Sequence, residues 1–148
     1  MKHGSSSPII LLLSRVLSPY IMLFGMYVIF HGHYSPGGGF QGGALLASSI
    51  ILIRIAMEEK VHQLHFNKNY GIPLGAIGVL IFFGVGFIAL IMGGYFLDYG
   101  LLPFPGMITA ELRFYGILLI EVGVGLAVMT ILVSIYDNLL EEDEDESI

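Results

Sequence analysis

The sequence has no cysteine and few charged residues, and these shortages exclude several classes of protein. Without cysteine, its 148 residues can form no disulfide bond, thiolate metal site or iron–sulfur cluster. Charged residues make up 12% of the chain, whereas a soluble domain carries about 25%. The six basic residues are scattered rather than clustered, so no nucleic-acid partner is expected.

Long apolar runs dominate the chain: hydrophobic residues make up 55% of it, and its mean hydropathy is +0.83. Four runs have about the length that a helix needs to cross a bilayer, roughly 20 residues. They cover residues 9–31, 40–57, 72–96 and 114–136. The first is too long for the apolar core of a cleaved signal peptide, about 7–15 residues, and is expected to be retained.

These runs predict an all-α membrane protein. We expect one domain of four transmembrane helices over residues 1–137, followed by an acidic tail over residues 138–148. With four spans, both termini and the loop 61–70 lie on the same side. That side carries Lys2, Lys60 and Lys68, with Arg15 and Arg54 expected to reach it by snorkelling. Only Arg113 lies opposite, so the positive-inside rule predicts cytoplasmic termini and a cytoplasmic tail.

A glycine-rich hairpin, residues 32–43, joins the first two spans. It reads Gly-His-Tyr-Ser-Pro-Gly-Gly-Gly-Phe-Gln-Gly-Gly. Glycine allows backbone conformations that side chains forbid and lets another backbone approach closely, so we expect a tight elbow that is too bent for a helix. The spelling G-x-G-x-x-G does not indicate a dinucleotide site, because that motif follows a strand and this one follows a membrane helix.

Small residues form stripes on the third and fourth predicted helices. At 100° per residue, one face of the third collects Gly71, Gly75, Gly78, Gly86, Ala89 and Gly93. One face of the fourth collects Gly116, Gly123, Ala127, Thr130 and Ser134. Such stripes let helices pack closely in membranes. Glu121 and Gly125 fall on roughly the opposite face of the fourth helix, which predicts that this helix lies between two neighbours.

Glu121 is the sharpest single candidate for chemistry. An ionisable residue inside a membrane is costly and by default suggests an ion or proton path. The alternative is a hydrogen-bonded structural glutamate. His31 and His33 could shuttle protons at the hairpin, or they could be interfacial residues that cap it.

No enzyme or metal site is predicted. The sequence has no convincing arrangement of a nucleophile with a base. Glu58, Glu59, His62 and His65 are explained by an exposed cytoplasmic loop, so we expect no metal site and no cofactor.

The hairpin resembles the hallmark of the MrpB, or MnhB, family, whose members belong to the Mrp (Mnh) multisubunit cation/proton antiporters. Members of that family show G-H-x-x-P-G-G-G-F-x-G-G between their first two helices. This chain matches at Gly32, His33, Pro36, Gly37, Gly38, Gly39, Phe40, Gly42 and Gly43. Relatives also occur in archaeal membrane-bound respiratory complexes that resemble hydrogenases or reduce sulfur, where an Mrp-like module moves sodium or protons.

The resemblance implies a small, non-catalytic accessory subunit in the cell membrane of a prokaryote. It would pack beside other membrane subunits in the lipid bilayer and help to form or seal a path for Na⁺ and H⁺. A larger antiporter-like subunit would carry the proton channel, since no predicted span here contains a lysine. Pro36 and Phe40 are expected to shape the elbow, and Glu121 to contact the path. A purely structural assembly scaffold remains an alternative.

Overall fold

The structure, a computed structural model, describes residues 7–34, 37–56 and 70–145, with the backbone alone over 141–145. Four long helices make up most of it: α1 (Pro8–Phe30), α2 (Gly38–Ala56), α3 (Gly71–Ile91) and α4 (Thr109–Asp145). A short 3-10 helix, Tyr99–Leu101, lies in the α3–α4 connection. All four long helices are apolar enough to cross a membrane. The predicted all-α fold with four spans is confirmed.

Two helix ends differ from the sequence-based expectation. α3 ends at Ile91 because Gly93 adopts a φ of +86°, and the N–H groups of Gly93 and Gly94 donate back to the carbonyls of Leu90 and Ala89. This is a Schellman ending. Gly93 therefore ends α3, and no heavy atom of the described residues lies within 4 Å of a Cβ placed there.

α4 is longer at both ends than the predicted span. It begins at Thr109, where the Glu111 carboxylate accepts a hydrogen bond of 3.2 Å from the Ile108 N–H and satisfies one of the free donors of the first turn. At the other end it continues to Asp145, because no glycine or proline interrupts the sequence. Most of the segment expected to be a tail thus prolongs the last helix.

The helices form a row in the order α1, α2, α4, α3. α2 packs against α1 on one side and α4 on the other, and α4 also packs against α3. The prediction that the fourth helix lies between two neighbours is confirmed. Because successive spans alternate in direction, α2 and α4 run parallel to each other.

The small-residue stripes of α3 and α4 pack on each other. A Cβ on Gly78 would lie 2.8 Å from the Ala127 nitrogen, and one on Gly75 would lie 2.9 Å from the Thr130 hydroxyl. Gly71 is buried at the start of α3 and, with Gly75, lines an open apolar groove of about 350 Å³ beside α4. Gly75 and Gly78 of the α3 stripe are therefore used in packing within the chain.

Two glycines of the stripes pack against the α3–α4 connection instead of against a helix. Gly86 makes room for the ring of Phe96, which folds back onto α3. A Cβ on Gly116 would lie 2.8 Å from Cδ1 of Tyr99. The connection thus forms a cover over the ends of α3 and α4 that it joins.

A serine pair joins α1 to α2. The hydroxyl oxygens of Ser18 and Ser49 lie 2.6 Å apart, and each also lies 3.0 Å from the other residue's carbonyl oxygen. Both side chains are fully buried. The pair therefore joins α1 to α2 by hydrogen bonds across their interface.

Replacing Gly78 by valine is expected to destabilise the α3–α4 contact, because its added carbons overlap the α4 backbone. Overpacking of this kind costs about 1–3 kcal/mol. Gly84→Val is the matched control, since a Cβ there meets no atom within 4 Å. Thermal unfolding of the purified chain in nanodiscs should show a lower midpoint for Gly78→Val. Equal midpoints for the two variants would contradict this packing.

Candidate functional site

The carboxylate of Glu121 lies at the N-terminus of α2. The first four N–H groups of a helix lack intrahelical acceptors, and the helix dipole places partial positive charge there. α2 begins at Gly38, and the N–H of Gly39 donates a hydrogen bond to Oε2 of Glu121. A side chain of α4 therefore caps α2 across 82 positions of sequence.

The glycines of the hairpin make room for this carboxylate. We call Gly32, Gly38 and Gly39 the glycine cradle, because a Cβ on any of them would meet Glu121. On Gly32 it would lie 2.9 Å from Cδ, and on Gly39 it would lie 2.9 Å from Oε2. On Gly38 it would overlap the carboxylate itself.

The second half of the hairpin is helical, so the expectation of an elbow too bent for a helix is wrong there. Gly38 to Gly43 form the first turns of α2, and only Gly37, with a φ of +129°, needs the conformational freedom of glycine. Close packing explains the rest. A Cβ on Gly42 would lie 2.7 Å from the carbonyl oxygen of Gly25 in α1.

Phe40 and Pro36 were expected to shape the elbow. Phe40 is 65% exposed, so its ring is directed away from the chain's own helices. Pro36 lies outside the described residues.

The two histidines take different positions at the end of α1. Nδ1 of His31 lies 3.0 Å from the carbonyl oxygen of Tyr27, and its ring stacks on the Tyr27 ring. His33 is half-buried, with its ring edge-on to Phe114 at 4.4 Å between centroids. Within the described residues, neither ring nitrogen of His33 has a hydrogen-bond partner, and no hydrogen bond joins either histidine to Glu121.

Tyr99 is a neighbour of Glu121 that sequence reasoning missed. Burial raises the pKa of the Tyr99 hydroxyl, and the negative charge of Glu121 raises it further. The phenol therefore stays protonated and neutral beside the carboxylate. No spacing in the sequence links these residues, because Tyr99 comes from the α3–α4 connection.

Arg54 and Asp137 form a buried ion pair between the other ends of α2 and α4. Arg54 is 5% exposed, so the expectation that it snorkels to the surface is wrong. Its guanidinium is paired inside the bundle instead. The sequence analysis did not name Asp137 as a candidate. The sequence does place a base, Arg54, and an acid, Asp137, near the same end of two parallel spans, and this pattern could have indicated the pair.

No group of three or more possible metal ligands occurs within residues 7–34, 37–56 and 70–145. The loop with Glu58, Glu59, His62 and His65 lies outside the described residues.

Gly38→Ala is expected to destabilise the chain by about 1–3 kcal/mol, because the new methyl group overlaps the Glu121 carboxylate. Gly84→Ala is the control and should be neutral or stabilising by about 0.5–1 kcal/mol, as alanine favours helices over glycine. Adding Glu121→Ala to Gly38→Ala should recover part of the loss, measured as the unfolding midpoint in a double-mutant cycle. Purely additive effects would argue against the contact.

Four apolar helices, a glycine hairpin and intramembrane charges define a multi-pass membrane protein. Residues 9–134 match the family model described as a domain related to the MnhB subunit of Na⁺/H⁺ antiporters. The chain belongs to this family.

Relatives are found in bacteria and archaea. The chain is 33% identical over 141 residues to the B subunit of the Na⁺/H⁺ antiporter of Alkalihalophilus pseudofirmus, covering 87% of this chain and 94% of that one. It is 30% identical over 130 residues to the corresponding antiporter protein of Bacillus subtilis, with coverages of 88% and 90%. An uncharacterized protein of Methanocaldococcus jannaschii is 37% identical over 94 residues, 64% of this chain and 36% of that protein.

Among solved structures, the chain is similar to one chain of the membrane-bound sulfane sulfur reductase, an archaeal respiratory membrane complex. The TM-score is 0.67 and the identity 32%. The match covers 95% of this chain and 60% of that chain, so the reductase subunit extends well beyond the shared part.

Proposed function

We propose that this protein is a non-catalytic accessory subunit of a monovalent cation/proton antiporter module, in which it helps to form or seal the cation path. One observation carries the proposal: an intramembrane carboxylate, Glu121, lies in the glycine cradle of a chain whose relatives are named antiporter subunits. An ionisable residue within a membrane span is costly and by default suggests an ion or proton path. Glu121, His31 and His33 are the residues that we assign to the path.

Packing inside the bundle supports a path at the surface of the chain, shared with sister subunits. Between Glu121 and the Arg54–Asp137 pair, the α2–α4 contact is closed by buried Ala47, Ile50 and Val133. An ion cannot pass through such an apolar contact. α1 and α3 expose many large apolar side chains, as expected of surfaces that face lipid or other membrane subunits.

Glu121→Gln tests the role of the charge. The amide oxygen of glutamine can still accept the hydrogen bond from Gly39, so the cap of α2 is retained while the negative charge is lost. We expect sodium-dependent proton movement in membrane vesicles that contain the native complex to fall to the background of vesicles without it.

Glu111→Gln is the matched control, because Glu111 lies on the same helix but is exposed. It should leave transport unchanged. If Glu121→Gln also transports normally in a fully assembled complex, the chain is a scaffold without an ion role.

A second candidate is the same role within a redox-linked respiratory complex, favoured by the likeness to a chain of the sulfane sulfur reductase. Affinity purification of the chain from native membranes, followed by mass spectrometry, separates the two. Antiporter-like subunits alone would support the first candidate, and additional redox subunits the second. Recovery of the chain by itself would contradict both.

The proposed orientation places both termini in the cytoplasm of a prokaryotic cell. It rests on the basic residues near the termini and the loop 61–70. Single cysteines introduced at Lys2 and at Phe104, in the α3–α4 connection, provide the test because the chain has none of its own. A membrane-impermeant thiol reagent added to intact cells should label only the cysteine at position 104. Labelling at position 2 alone would reverse the orientation.

A further inference from the structure

Polar contacts close both ends of the contact between the parallel helices α2 and α4. At the first end, Gly39 donates to Glu121, and at the other, Arg54 pairs with Asp137. By helix rise these contacts lie about 22 Å apart along α2. The two directional interactions are thus separated by nearly the whole length of the shorter helix.

Three contacts spread along this interface share nearly the same register. Gly39 meets Glu121, Gly43 meets Gly125 and Arg54 meets Asp137, so the partners are 82, 82 and 83 positions apart. The offset stays nearly constant over 15 residues of α2. A slip of one helical turn, about 5.4 Å, would break the contacts at both ends together.

The middle of the interface is apolar, and Gly43 and Gly125 allow a close backbone approach there. It consists of glycine, alanine and aliphatic side chains, namely Gly43, Gly125, Ala47, Ile50 and Val133. Contacts between apolar groups are non-directional, whereas a hydrogen bond or an ion pair requires its two partners to be level with each other. The polar ends therefore supply the directional contacts that depend on this register.

Stability alone does not explain the Arg54–Asp137 pair. Arg54 is 5% exposed and the Asp137 side chain 12%, so both charges have lost most of their hydration. A buried ion pair is often no more stabilising than apolar residues of similar volume. Its best attested use is to fix the register between helices.

We propose that Arg54 and Asp137 form a register lock that holds the N-terminus of α2 against the Glu121 carboxylate. They are positioning residues, since they act on the candidate ion path through α2. The effect on transport rests on the proposed function, whereas the effect on register does not.

Spin labels test the register directly. Cysteines can be introduced at Ser48 on α2 and at Leu119 on α4, which are both exposed. Because the chain has no cysteine of its own, spin labels attach only at these two positions in nanodiscs. Asp137→Asn should shift or broaden the label–label distance by up to one helical pitch, about 5 Å. The exchanged pair Arg54→Asp with Asp137→Arg should restore the original distance.

Ser18→Ala is the matched control, because it removes the Ser18 hydroxyl from the polar contact of α2 with α1 and leaves the α2–α4 interface intact. It should keep the original distance. An unchanged distance in Asp137→Asn, or an exchanged pair that does not restore it, overturns the lock. If the Asp137→Asn protein cannot be purified from membranes, the exchanged pair decides alone. Purification of the exchanged pair with the original label–label distance supports the lock, and failure to obtain that distance overturns it.

Transport provides the second measurement. Asp137→Asn should lower sodium-dependent proton movement to the level of Glu121→Gln, and the exchanged pair should recover it. Recovery in the exchanged pair would show that transport depends on the ion pair and not on which helix carries each charge. If Glu121→Gln retains full transport, the proposed function fails, while the spin-label distances still decide whether the lock exists.

Discussion

The free N–H groups at the start of α2 are the constraint on which the rest of the structure depends. These groups have no acceptor within the helix, so another group must satisfy them. The carboxylate of Glu121 takes this role at Gly39, and a hydrogen bond to a charged group contributes about 1.5–3 kcal/mol. The carboxylate can approach only because the cradle has no side chains. One acid on α4 thereby accounts for three glycines of the hairpin.

α4 divides its faces between its two neighbours. The face with Gly123, Ala127 and Thr130 packs against α3, while Glu121 and Gly125 face α2. Because α2 also holds α1 through the serine pair, α1 reaches the rest of the bundle largely through α2. Loss of the contact between α2 and α4 would therefore separate the first two helices from the last two. The Gly39–Glu121 hydrogen bond and the Arg54–Asp137 ion pair both lie at this junction between α2 and α4.

Local patterns in the sequence predict the spans and the faces of the helices, but not the pairs. Run length gives four helices, and a turn of 100° per residue correctly places Glu121 opposite Gly123. The helical conformation of residues 38–43 could not be predicted, because glycine disfavours helices. The residue that stabilises this helix start, Glu121, is 82 positions away from Gly39 in the sequence. The same holds for Asp137, which becomes the partner of Arg54 only when parallel helices set them level.

In the proposed function, the acid that lines the ion path is also the acid that holds α2. Neutralising the carboxylate would weaken both its hydrogen bond to Gly39 and its attraction to the helix dipole. The adjacent turn of α2 would then be less firmly held, while the Arg54–Asp137 pair still fixes the register at the far end. Any movement that follows is confined to the hairpin end of α2, next to the exposed faces where sister subunits would pack. In this arrangement the charge of Glu121 influences the shape of the surface at the hairpin end of α2, while the helices stay packed together.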